Sequence, residues 1–335
     1  MSDPFFDKPI LNSPYEYPGR HWELDESGQP TQKIIDSRRI AEFITPIPKP
    51  RKRGKEAEQQ RLDLDDSGLS TEEQQYDPTP IINALRRQVD KWRNIPNSND
   101  WNVTNETAQL LHHWRQFQFS GIRPFFCQVE AAETVIWLTE VAPSMGKTGN
   151  DFLEHLSNAN NDANPELMRL ALKLATGSGK TTVMAMLIAW QTINAIRHPK
   201  SKKYSKGFLI VTPGLTIKDR LRVLLPNDPE SYFKSRELVP AEFLSDINHA
   251  RVIITNYHSF KLRESMEVTK GGRALLQGRG EPLNTKETEG QMLHRVLPDL
   301  MGMKHILVIN DEAHHCYREK PQVETEEDLS GDDKE

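Results

Sequence analysis

Along the 335 residues the arrangement of apolar and polar positions changes twice. Up to about residue 75 no helical or alternating period persists long enough to build a core. A hairpin is predicted at 21–24 and 33–35 around Ser27-Gly28-Gln29-Pro30, and residues 1–75 otherwise read as a largely disordered extension. The prolines and charges of TPIPKPRKRGKEAEQQ cannot bury enough apolar surface to offset the entropy of ordering. From Pro80 the period becomes helical. Ile81, Ile82, Leu85, Val89 and Trp92 share one face, and a second helix is predicted after Thr104, with Glu106 in its first turn and Leu110, Leu111 and Trp114 on one side. Residues 76–122 thus read as a helical accessory segment whose tryptophans pack into a core rather than stack on bases.

From residue 123 the chain alternates. The pattern predicts helix 125–138, a polar insertion at 143–165, strand 169–175, helix 180–196, strand 207–212, a helical stretch at 217–224, strand 251–255, a long connection and strand 305–310. The strands are the near-continuous apolar runs LALKLA, FLIV, VII and ILVI. Strand, helix and strand repeated at this spacing call for an α/β fold, a mostly parallel sheet covered by helices on both faces. Residues 123–320 form the expected lobe, and 321–335 an acidic disordered tail.

Composition narrows this picture only slightly. The longest near-continuous apolar run, 183–190, falls well short of the roughly 20 residues a bilayer crossing needs, so no membrane partner is expected. Two cysteines and no export signal point to a reducing cytoplasm. The formal charge is −5, but the last twelve residues hold seven acids against one lysine, so the remainder is near neutral. Charge therefore argues neither for nor against a nucleic-acid partner. The basic run Arg51, Lys52, Arg53 and Lys55 reads more readily as a solvated linker than as a phosphate contact.

The sharpest chemical signal is Ala-Thr-Gly-Ser-Gly-Lys-Thr-Thr at 175–182, between a predicted strand and a long apolar helix. A polyphosphate needs inward-turned amides that side chains would obstruct, which suits Gly177, Ser178 and Gly179. The following helix offers its positive end. Lys180 is placed to reach the β and γ phosphates, and Thr181 to hold Mg²⁺ by its hydroxyl, with Thr182 beside it. The general phosphate-loop pattern has a glycine where Leu174 stands, which disfavours a kinase or GTPase loop. A second GKT, Gly146-Lys147-Thr148, follows no strand and reads as loop. The other signal is Val-Ile-Asn-Asp-Glu-Ala-His-His at 308–315, ending an apolar strand. Two acids emerging beyond the carboxyl end of a strand can divide labour: Asp311 on the shell of a Mg²⁺ ion, Glu312 polarising the water that attacks a γ phosphate.

ATGSGKT and DEAH in this order resemble superfamily-two helicases and translocases, in particular the motor part of type III restriction enzyme R (Res) subunits. VTPGLTIKDRLRVLLP, VIITNYHSFKLRE and VINDEAHHCYREKP resemble that family too, and the likeness covers about 123–320. It implies a RecA-like P-loop lobe using ATP and Mg²⁺. By the same resemblance, Arg123-Pro124 with Gln128 form an adenine-reading motif, though Gln128 also suits the polar side of an amphipathic helix. Thr212, Pro213 and Gly214, and Thr255 and Asn256, correspond to strand-end motifs that meet the backbone of double-stranded DNA, or else simply form turns. His314 corresponds to the histidine that couples the nucleotide site to a second lobe. A modification methyltransferase subunit is the implied partner.

The resemblance also implies a second lobe with an arginine that reaches the γ phosphate, and a nuclease domain. Only about twenty residues follow DEAH. The chain is therefore expected to be the N-terminal portion of a longer enzyme, an incomplete first motor lobe that binds ATP better than it hydrolyses it, since such an arginine is worth about 10³–10⁵ in turnover. A helicase or remodeller without nuclease activity, and a nonhydrolytic nucleotide-dependent binding module, are the alternatives.

Overall fold

The computed structural model describes residues 4–25, 27–42, 79–164, 166–263 and 287–313. The basic run at 51–55, His314 and the acidic tail at 321–335 lie outside the described residues. The chain divides into two compact units, Met1–Met186 and Leu187–Glu335.

The first unit opens with a short helix, α1 (Pro4–Asp7), and a hairpin of β1 (His21–Leu24) and β2 (Pro30–Ile35), with Trp22 opposite Ile34. The turn closes at Gly28, whose φ of 80° needs a residue without a Cβ. Residues 1–75 were expected to form a largely disordered extension with a hairpin; the hairpin is present, and within 4–42 Arg38 and Tyr17 bond side chains of later helices. α2 (Thr79–Arg93) and α3 (Asn105–Gln116) follow, the latter capped by Thr104, whose hydroxyl accepts the Thr107 N–H. Trp92, Trp101, Leu110, Leu111 and Trp114 are buried. The Trp92 indole donates to the Trp101 carbonyl at 2.9 Å, so a large apolar body enters the core with its one polar group satisfied.

α4 (Phe126–Ile136) continues through π-helical Trp137–Val141. It carries two carboxylates, Glu130 and Glu133, among Val129, Ala131, Ala132 and Ile136, and Glu133 is fully buried. Arg93 Nε and Arg115 Nε each donate to Glu133 at 2.7 Å, and Arg38 pairs with Glu130 through two bonds of 2.6 Å. Burial would lower the Arg38 and Arg93 pKa values, but their carboxylate partners raise both above the usual guanidinium value. At Arg115 burial prevails and lowers it, despite Glu133.

Two expectations in this unit are corrected. Residues 143–165, read as a polar insertion with a GKT loop, contain an 18-residue helix, α5 (Gly146–Ala163). Phe152 is buried and Leu153 and Leu156 lie at helical spacing, a stripe too sparse to stand out among Asn, Asp and Ser. Gly146-Lys147-Thr148 occupies its first turn. The predicted strand 169–175 is not a strand: it carries no ladder among the described residues, and Leu170 and Leu172 are exposed. An apolar run marks chain that could extend, whereas a strand also requires a partner backbone.

α6 (Lys180–Arg197) spans the boundary between the units. The second unit is built on a three-stranded parallel sheet in the order β4-β3-β5, from β3 (Gly207–Thr212), β4 (Arg251–Asn256) and β5 (Leu307–Asn310). Short helices α7 (Leu215–Arg220), α8 (Tyr232–Ser235) and α9 (Leu244–Ile247) connect β3 to β4, and α10 (Glu289–Val296) precedes β5. β3 is buried at every position, as a central parallel strand should be. Leu209 and Val211 pack in one cluster with Val296, Leu297 and Leu300. β5 lies at an edge, and Val308 is half exposed, so enclosure on both faces holds for the central strand and not for this one. No described helix is long and apolar enough to cross a membrane.

Candidate functional site

In the first unit the 175–182 segment is a turn feeding the N-terminus of α6. The Ser178 N–H donates to the Ala175 carbonyl at 3.2 Å and the Ser178 hydroxyl to the same oxygen at 2.6 Å. The Thr182 N–H donates to the Gly179 carbonyl at 2.9 Å. Gly177 and Gly179 both have φ of 79°, in the left-handed region that disfavours any residue with a Cβ. Lys180 is the first residue of the helix, half-buried with Thr181, while Thr182 is buried. Reversed amides at the positive end of a long helix can cradle an anion.

Gln128, in the first turn of α4, meets this loop. Its side-chain oxygen accepts the Phe125 N–H at 2.9 Å, and its Nε2 donates to the Ser178 carbonyl at 2.8 Å. A Cβ added to Gly179 would overlap Nε2. The residue expected to read adenine thus has both ends of its amide engaged by protein. The Arg123 guanidinium, expected beside it as a nucleotide contact, lies over the Tyr15 ring, 4.4 Å from the centroid.

The second unit gathers the three strand-end motifs. Parallel register sets Thr212 opposite Asn256 and Val211 opposite Asn310, so the carboxyl ends of β3, β4 and β5 share one edge of the sheet. The Asp311 N–H extends the ladder by donating to the Val211 carbonyl at 2.9 Å. Glu312 then turns with φ of 51°, a left-handed conformation uncommon for a long side chain and met most often where function over-determines the backbone. Asp311 and Glu312 are half-buried.

The side chains expected at DNA serve local turns. The Thr212 hydroxyl donates to the Gly214 carbonyl at 2.9 Å, and Asn256 Oδ1 accepts from the Ser259 N–H at 2.9 Å and the Ser259 hydroxyl at 2.8 Å. Thr212, Thr255 and Asn256 are buried, Pro213 and Gly214 half-buried. Pattern reading missed Glu130 and Glu133. Their signal was present, because two carboxylates set among Val129, Ala131, Ala132 and Ile136 demand cationic partners once that face is buried.

A parallel α/β sheet with helices, a glycine-turned loop opening a helix and an acid pair closing an edge strand belong together in one class, and comparison with known families defines it: the helicase-like ATPase motors. The family model described as type III restriction enzyme, res subunit, matches residues 122–327, well over half of the chain, and the chain belongs to that family. No curated protein and no solved structure matches it.

Proposed function

We propose that the chain is the ATP-binding part of a DNA-dependent ATPase and translocase of the type III restriction class. The observation that carries the reading is the loop, where two left-handed glycines precede an 18-residue helix that opens with Lys180. The fit to a triphosphate is good: Gly177, Ser178 and Gly179 supply backbone, Lys180 a cation for the β and γ phosphates, and Thr181 a hydroxyl for Mg²⁺. When bound, the metal supplies neutralisation of phosphate charge. In this reading Asp311 would hold part of the metal's water shell, and Glu312 would accept a proton from the attacking water.

Duplex DNA meets the carboxyl edge of the sheet through the backbone around Pro213 and Gly214 and the surroundings of Thr255 and Asn256, since buried side chains leave main-chain groups as the means of phosphate contact. A modification methyltransferase subunit is the partner, and the cytoplasm is the compartment. His314 couples nucleotide state to motion.

Titration of the purified chain with a fluorescent, nonhydrolysable ATP analogue and Mg²⁺ tests the reading. Lys180→Ala removes charge-assisted bonds to phosphate and is expected to weaken binding about 10- to 150-fold. Equal affinity in wild type and variant would remove the loop from nucleotide binding.

A further inference from the structure

We propose that Gln128 is a positioning residue for the 175–182 loop, and that the N-terminal segment, residues 4–42, clamps it in place. This deepens the ATP-binding reading and rests on it. A carbonyl oxygen turned toward a phosphate repels it, whereas an amide N–H attracts it. In a planar trans peptide the carbonyl of one residue and the N–H of the next point in opposite directions. Pinning the Ser178 carbonyl to Gln128 Nε2 at 2.8 Å therefore aims the Gly179 N–H away from Gln128. The glycine's φ of 79° is the conformation this orientation accompanies. Gln128 is 4% exposed, and its oxygen is committed to the Phe125 N–H, so it is a fixed brace.

The brace is only as fixed as the first turn of α4, and that turn is tied down from far away in sequence. The Phe126 N–H, one of the four donors a helix start leaves without an intrahelical partner, bonds the Pro14 carbonyl at 2.8 Å. The Tyr15 ring meets Phe125 edge to face at 5.4 Å, and Tyr17 meets Phe126 at 5.5 Å. One turn further on, Arg38 grips Glu130 with two bonds of 2.6 Å and lies 5.7 Å from the Phe126 centroid. Both members of this pair are about 15% exposed, at 15% and 14%, so it is shielded from the screening that makes surface pairs weak. The Tyr17 hydroxyl bonds Asp90 at 3.1 Å, adding α2 to the same support. Residues that look like an extension therefore set the geometry of the loop.

The test uses the purified chain with two probes, Mg²⁺-tripolyphosphate, which has no base, and the ATP analogue with Mg²⁺. Hydrogen exchange at 175–182 without ligand is the third readout. Gln128→Glu keeps the acceptor for Phe125 and loses the donor to Ser178. It is expected to weaken both probes by the same factor, about three- to tenfold as for one net hydrogen bond, and to speed exchange in the loop. Arg38→Gln should shift all three readouts in the same direction and add nothing in the Gln128→Glu background. Arg38→Lys, which keeps the charge, should recover part of the loss and guards against a folding defect in Arg38→Gln.

A loss confined to the ATP analogue would make Gln128 a reader of the base and overturn the proposal. Unchanged loop exchange in Gln128→Glu, or additive effects of the two substitutions, would also overturn it. Failure of the wild type to bind either probe would sink the ATP reading instead, with loop exchange still deciding the role of Gln128.

Discussion

Gly179→Ala has a cost that can be worked from two separate features of the loop. The first is backbone strain: φ of 79° places an alanine Cβ against its own carbonyl, at about 1–2 kcal/mol. The second is steric. The new Cβ would overlap Gln128 Nε2, the far end of a flexible side chain that can retreat only by giving up its bond to Ser178, about 1 kcal/mol. The sum, about 2–3 kcal/mol, corresponds to about 30- to 150-fold weaker binding of Mg²⁺-tripolyphosphate or the ATP analogue. Gly177 is the internal control, because it has the same φ of 79° and nothing within 4 Å of an added Cβ. Gly177→Ala should therefore show strain alone, about 5- to 30-fold. In a Gln128→Ala background the obstruction is gone, and adding Gly179→Ala should cost no more than Gly177→Ala costs in the wild type. Isothermal titration of the four variants closes the cycle. Equal losses for Gly177→Ala and Gly179→Ala in the wild type, or an undiminished effect of Gly179→Ala without Gln128, would refute the coupling between loop and helix.

Glu133→Gln should destabilise the first unit by about 3–5 kcal/mol, because Arg93 and Arg115 would face a neutral amide in a buried site. A urea midpoint shifted by less than about 1 kcal/mol equivalent would show that the two guanidiniums find other partners. In the second unit the strands of chain at Arg263 and Glu287 meet: the Glu287 N–H donates to the Arg263 carbonyl at 2.8 Å, and Arg295 Nε donates to the Glu287 carboxylate at 3.1 Å. The hydrogen bond from Arg295 holds the Glu287 carboxyl below its ordinary value. A lowered folded value means the stabilisation is present at neutral pH and is lost as pH falls through that value. Amide exchange at Glu287, corrected for its intrinsic pH dependence, should therefore lose protection in acid, and Glu287→Gln should abolish that pH dependence. Protection independent of pH in the wild type would remove this carboxylate from the pairing of Arg263 with Glu287.

Where a segment's conformation follows from chemistry along the chain, it was legible in advance. β3 declared itself as a continuous apolar run, α3 by Thr104 and its apolar side, and the loop by glycines that had to be free of Cβ before a helix beginning with lysine. α5 was misread because its apolar stripe is sparse, and 169–175 because an apolar run marks chain that could extend without supplying a neighbour. Composition did not reveal the contacts that residues 4–42 make with Phe126, Glu130 and Asp90.

The chemistry on which the proposed triphosphate and metal site rests was fixed by residue type alone, since it lies in glycine's missing Cβ, a lysine's charge and two carboxylates. Only the tertiary structure decided where the Gln128 amide points and what holds it, because a hydrogen bond between residues fifty apart, or an ion pair between residues ninety-two apart, depends on how distant segments pack and leaves no period in the chain.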